Sequence, residues 1–78
     1  MARFPSMKPR ELQAVLMREP LAYRIDRQRG SHMRLVSDNG YPPITFAPHA
    51  GGNVAPGLVR TILCKQIGLS EAEALDLL

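Results

Sequence analysis

The run Arg27-Gln28-Arg29-Gly30-Ser31-His32-Met33-Arg34-Leu35 holds the side chains of this sequence best equipped for chemistry. A single imidazole, His32, sits in a strand-like segment between arginines. It follows Gly30, a residue type that lets backbone come close to a ligand. Between residues 24 and 34 lie four arginines (Arg24, Arg27, Arg29 and Arg34) against one acid, Asp26. An imidazole takes and gives protons near neutrality. Guanidinium groups hold phosphate oxygens and offset the charge that develops on them. Together these groups suit proton-transfer chemistry on a phosphodiester backbone.

Each of these residues also has a plainer reading. A histidine beside arginines is often only solvated, and runs of charge are usually exposed faces. Arg34 has the strongest case as a phosphate ligand because strand alternation puts it on the side of His32. Arg29 comes next, beside Gly30; Arg24 and Arg27 complete the candidate set. His49 follows Pro48 in a loop containing Gly51 and Gly52. It is a candidate second acid/base group, although a turn histidine bonded to backbone is the simpler expectation. His32, His49 and Cys64 are scattered and lack ligand spacing, so no metal site is expected. Nothing in the sequence calls for a cofactor.

The elements that must position these groups follow from periodicity. Seventy-eight residues suit one domain (1–78) with a small core, and residues 1–7 read as a loose leader. Pro9 suits a first helical position, and Leu12, Val15 and Leu16 then fall on one helical face. Pro20 ends that helix. Period two takes over with Tyr23 and Ile25, then Met33 and Leu35, then Ile44 and Phe46. Asp38-Asn39-Gly40 is a hairpin signal. A second helix begins near Pro56 with Leu58, Val59, Ile62, Leu63 and Ile67 as its apolar stripe, and Gly68 is placed to cap it. Ser70 and Glu73 form a capping-box pattern for a short last helix carrying Ala74, Leu75, Leu77 and Leu78.

The order helix, three strands, helix, short helix predicts an α+β domain. It would hold a three-stranded antiparallel sheet with helices packed on one face. The covered face would take Tyr23, Ile25, Met33, Leu35, Ile44 and Phe46. The open face would carry Arg24, Asp26, His32, Arg34 and Thr45. Arginine is seldom buried unpaired, so Arg34 draws His32 outward with it.

Charge and composition bound the partners. The formal net charge is +3 and the pI about 9.6, a mild basic excess compatible with nucleic acid. One cysteine excludes an internal disulfide and fits a reducing compartment; Cys64 itself reads as a small core residue. No stretch approaches the roughly 20 apolar residues of a membrane span, and the N-terminus shows no signal-peptide pattern.

Three stretches together resemble the HicA family of mRNA interferase toxins. They are Arg27-Gln28-Arg29-Gly30-Ser31-His32, then Ile44-Thr45-Phe46-Ala47-Pro48-His49, then the helix from Pro56 to Gly68 with its exit through Leu69 and Ser70. The resemblance runs from about Met7 to Leu78. It implies a double-stranded-RNA-binding-domain-like fold and metal-independent endonucleolytic cleavage of mRNA in the cytoplasm. It also implies a catalytic histidine at the position of His32, and inhibition by a HicB-type antitoxin in a hetero-oligomer. The chain departs from the family pattern in two places. Glu19-Pro20-Leu21 stands where a Gly-aromatic pair is usual, and Gly52 stands where a lysine is frequent. A non-catalytic RNA-binding domain of the same fold is the alternative from another functional class.

Overall fold

The computed structural model describes residues 4–47 and 52–78. Helix α1 spans Pro9–Met17. Proline opens it without losing a helical hydrogen bond, since the first N–H groups have no partner in any case. The Glu11 carboxylate folds back to accept the Lys8 N–H at 3.0 Å, which closes the first turn. Leu12, Val15 and Leu16 are buried and Met17 is exposed. The chain turns extended at Arg18, two residues before Pro20.

Three antiparallel strands follow: β1 (Tyr23–Arg29), β2 (His32–Ser37) and β3 (Ile44–Phe46), with β2 in the centre. Helix α2 (Pro56–Arg60) runs on into a π-helical segment, Thr61–Gln66, and α3 spans Glu71–Asp76. The wider turn shows in the Ile67 N–H, which donates to the Ile62 carbonyl at 3.1 Å. At the junction the Thr61 hydroxyl donates to the Gly57 carbonyl at 2.9 Å, a back-bond of the kind that distorts helices. Gly68 has φ +95° and ends the helix, and the Leu69 N–H then donates to the Leu63 carbonyl at 3.1 Å. Ser70 and Glu73 cap α3 reciprocally: the Glu73 N–H donates to Ser70 Oγ at 3.1 Å, and the Ser70 N–H to Glu73 Oε1 at 3.0 Å. These bonds hold the Glu73 carboxyl below the usual carboxylate range.

The architecture is the expected α+β domain, with helices over one face of the sheet. Its core joins Leu12, Leu16, Tyr23, Met33, Leu35, Ile44, Phe46, Val59, Ile62 and Leu63, among others. Tyr23 is buried to the ring, and its hydroxyl donates to the Pro42 carbonyl at 2.6 Å. Burial, with a smaller contribution from Tyr41, raises its pKa.

Several local expectations are corrected. Ile25, expected on the covered face, is 40% exposed: beyond Tyr23 every residue of β1 is exposed, so this outer strand runs out from under the helices. Leu58 is 48% exposed at the start of α2, one position off the buried stripe formed by Val59, Ile62, Leu63 and Ile67. Leu78 stays exposed, as α3 buries Ala74 and half-buries Leu75 and Leu77. The connection from β2 to β3 is longer than a two-residue hairpin. Gly40 does take φ +87°, but Asn39 spends its side-chain amide on Glu19 Oε2 (2.6 Å) and the Pro20 carbonyl (2.7 Å). Of the expected loose leader, residues 1–3 lie outside the described residues, and the remainder is anchored at two points. Phe4 and Met7 pack half-buried on the core, and Met7 exchanges two backbone hydrogen bonds with Val54.

Candidate functional site

Strands β1 and β2 join through a two-residue turn, Gly30-Ser31, flanked by the facing pair Arg29 and His32. Gly30 has φ +60°, which suits the first central position of a tight hairpin turn and strains any other residue type. Gly30 thus serves the turn that aims its neighbours. His32, the first residue of β2, is exposed, and its strand neighbours Met33 and Leu35 point into the core. Period two therefore sends His32 and Arg34 to the open face together, as the alternation requires.

The arginines of β1 reach that face by a device that regular alternation does not contain. The ladder pairs Arg24 with Val36 and Ile25 with Leu35, then shifts by one residue. Past the irregularity Arg27 faces Arg34, Gln28 faces Met33, and Arg29 faces His32. Facing residues project on the same side of a sheet. In an unbroken strand Arg27 and Arg29 would share the side of Ile25, beneath the helices. The bulge at Asp26 turns them over, so Arg27, Arg29 and Arg34 all project beside His32.

Arg27, Arg29, His32, Met33, Arg34 and Thr45 line one shallow depression of about 280 Å³ on this face. Among the described residues no ion pair involves Arg27 or Arg29. Arg34 lies 3.6 Å from Asp26, the bulged residue, in an exposed and weak pair. Arg24 stands apart. It does not line the depression, and its Nε contacts Asp38 Oδ1 at 3.0 Å near the other end of the strand pair. Four of the expected residues, Arg27, Arg29, His32 and Arg34, therefore come together, Gly30 turns the chain between them, and Arg24 is separated. His49 lies outside the described residues. Thr45, expected on the open face without a role, is a member of the group: it pairs with Arg34 across β2 and β3. Cys64 is half-buried against the core. Among the described residues no three His, Cys, Asp or Glu side chains gather as a metal-ligand set. No helix in them is long and apolar enough to cross a membrane.

Chemically, the depression offers guanidinium donors for phosphate oxygens and one imidazole within the same patch, all open to solvent. Fold and face together define a small basic α+β domain whose bare sheet surface, opposite its helices, carries the reactive groups. Residues 9–69 match the family model of the HicA toxin of bacterial toxin–antitoxin systems, and the chain belongs to that family. The match extends from the start of α1 through the helix exit at Leu69, and so contains the whole sheet and the depression. No curated protein and no solved structure matches the chain. Membership makes this chain a toxin of a toxin–antitoxin system, and its architecture is the double-stranded-RNA-binding-domain-like fold of the family.

Proposed function

We propose that this 78-residue chain acts as a single-domain endoribonuclease that cleaves mRNA in the cytoplasm, with His32 as its proton-transfer group. The observation that carries this reading is the bulge at Asp26, which gathers Arg27, Arg29 and Arg34 onto the face of His32. A neutral His32 imidazole takes the proton of a ribose 2′-hydroxyl. That oxygen attacks the adjacent phosphorus, the O–P bond to the next nucleotide breaks, and the released 5′-oxygen is protonated from solvent. The chain upstream of the cut ends in a 2′,3′-cyclic phosphate. Guanidinium groups of Arg27, Arg29 and Arg34 hold the non-bridging oxygens and offset the charge they gain in the transition state. The reaction needs the 2′-hydroxyl, so DNA is not a substrate, and no metal ion enters the scheme.

The inhibitor in this reading is a HicB-type antitoxin that docks on the open face, covers His32 and forms a hetero-oligomer with the toxin. An acidic partner surface complements the arginines there. The test is expression of the chain alone in a bacterium. Growth arrest that disappears with His32→Ala, at equal protein level, supports the enzyme. Harmless expression of the wild type with strong retention of RNA overturns it in favour of a non-catalytic RNA-binding domain.

A further inference from the structure

A second concavity lies at the β3 edge of the sheet. Between β3 and the helix that follows it lies a cleft of about 260 Å³, and Thr45 lines both this cleft and the depression around His32. Val54, Leu58 and Ile62 supply apolar wall, while Thr45, Asn53 and Gln66 supply hydroxyl and amide groups. Its size falls just short of the about 300–1,000 Å³ of drug-sized sites, which leaves room for one flat ring system. Leu58, at 48% exposed, is off the helical stripe because its side chain borders this cleft, not the core. Ile62 and Gln66 come from the π-helical segment, a local form frequent at functional sites.

We infer that the cleft holds a nucleobase next to the phosphodiester at His32, and that Asn53 and Gln66 read its edge. The inference rests on the ribonuclease reading and deepens it. Three features select a base over other occupants. The cleft and the cationic depression share Thr45, on the edge strand β3. β3 is one strand from β2, which carries Arg34, and two from β1, which carries Arg27 and Arg29, about 5 and 10 Å at the usual strand spacing, so an RNA whose backbone lies at the arginines reaches the β3 edge within a nucleotide or two. The polar groups of the cleft are neutral amides and a hydroxyl, the donor–acceptor types that bond base edges in single-stranded RNA. Arginines then fix the backbone, and the amides choose where along it the cut falls.

Two readouts test this. In the first, wild type, Asn53→Ala and Gln66→Ala act on one long mixed-sequence RNA, and the cut positions are mapped by sequencing the new ends. The wild type is expected to favour particular bases beside the cut. Either substitution should weaken that bias about fivefold or more while His32-dependent cutting continues. In the second, the His32→Ala protein binds short homopolymeric RNAs of A, C, G and U. Unequal affinities that level out when Gln66→Ala is added support the cleft without any need for cleavage. Both amides are exposed, and circular dichroism confirms that each variant folds. Base bias unchanged in both variants overturns the inference, and is the result expected if a protein segment fills the cleft. No His32-dependent cleavage, with binding bias still dependent on Gln66, overturns the ribonuclease reading and leaves the base cleft standing.

Discussion

The bulge at Asp26 makes a quantitative forecast for the arginines. On single-stranded nucleic acid each phosphate contact contributes about 0.7 to the slope of log K against log salt concentration. Arg27 and Arg29 line the depression, and among the described residues neither joins an ion pair, so each is available for a full contact. Arg34 shares its charge with Asp26 at 3.6 Å, and Arg24 is held by Asp38 at 3.0 Å outside the depression. The expected order follows. Arg27→Ala and Arg29→Ala each lower the slope by about 0.7, Arg34→Ala lowers it by less than about 0.7, and Arg24→Ala leaves it unchanged. The assay is fluorescence anisotropy with a labelled single-stranded RNA over a salt series. His32→Ala protein serves as the common background, so that the probe stays intact. An Arg24→Ala loss equal to that of Arg27→Ala, or no loss from Arg27 and Arg29, would refute the claim that the bulge sorts these residues.

Other outcomes concern the frame that holds the face. Gly68→Ala should cost about 1 kcal/mol in chemical denaturation: nothing crowds a Cβ there, so the penalty is the left-handed backbone at φ +95°. Ser70→Ala should cost about 1 kcal/mol through the lost α3 cap. Glu73, the other half of that cap, has a depressed pKa in the fold, so its contribution is present above the unfolded carboxylate value and is lost as pH falls through the folded one. Thermal melts across the acid range should show this component vanish in Glu73→Gln. Tyr23 behaves oppositely. Its pKa is raised in the fold, so the stability tied to it is full below about 10 and declines as pH rises through the folded value. In Tyr23→Phe the alkaline decline measured by urea unfolding should become shallower.

Much of the site could be read from residue order because His32, Arg34 and Thr45 obey period two on strands whose alternate members, Met33, Leu35, Ile44 and Phe46, are plainly apolar. Arg27 is a candidate by residue type, and Arg29 by its place beside Gly30. Alternation carried forward from Tyr23 and Ile25 would send them under the helices, and only an inserted residue resolves that conflict. The conflict was the available signal: two arginines in register with a core residue call for a bulge. Gly30 reads from the sequence as a residue for close approach to a ligand, and the structure adds a second task, turning β1 into β2 at φ +60°. Period two puts Thr45 on the open face but does not show its place on the border of two concavities at once. Leu21, Val54 and Leu69 are buried in segments with no period to betray them. Ile25 and Leu58 fit the pattern yet are exposed, because the helical layer is narrower than the sheet at β1 and the stripe of α2 begins at Val59. The cleft beside β3 depends on a π-helical turn, a feature that apolar spacing at 3.6 residues does not reveal.

The most direct measurement of the central claim is the rate and product of RNA cleavage in excess chelator, with wild-type protein beside folded His32→Ala. Metal-free cutting of RNA and not of DNA is expected, with 2′,3′-cyclic phosphate ends and a rate about 10²- to 10⁴-fold lower in the variant. Equal rates for the two proteins, or cutting that occurs only when Mg²⁺ is restored, would contradict it.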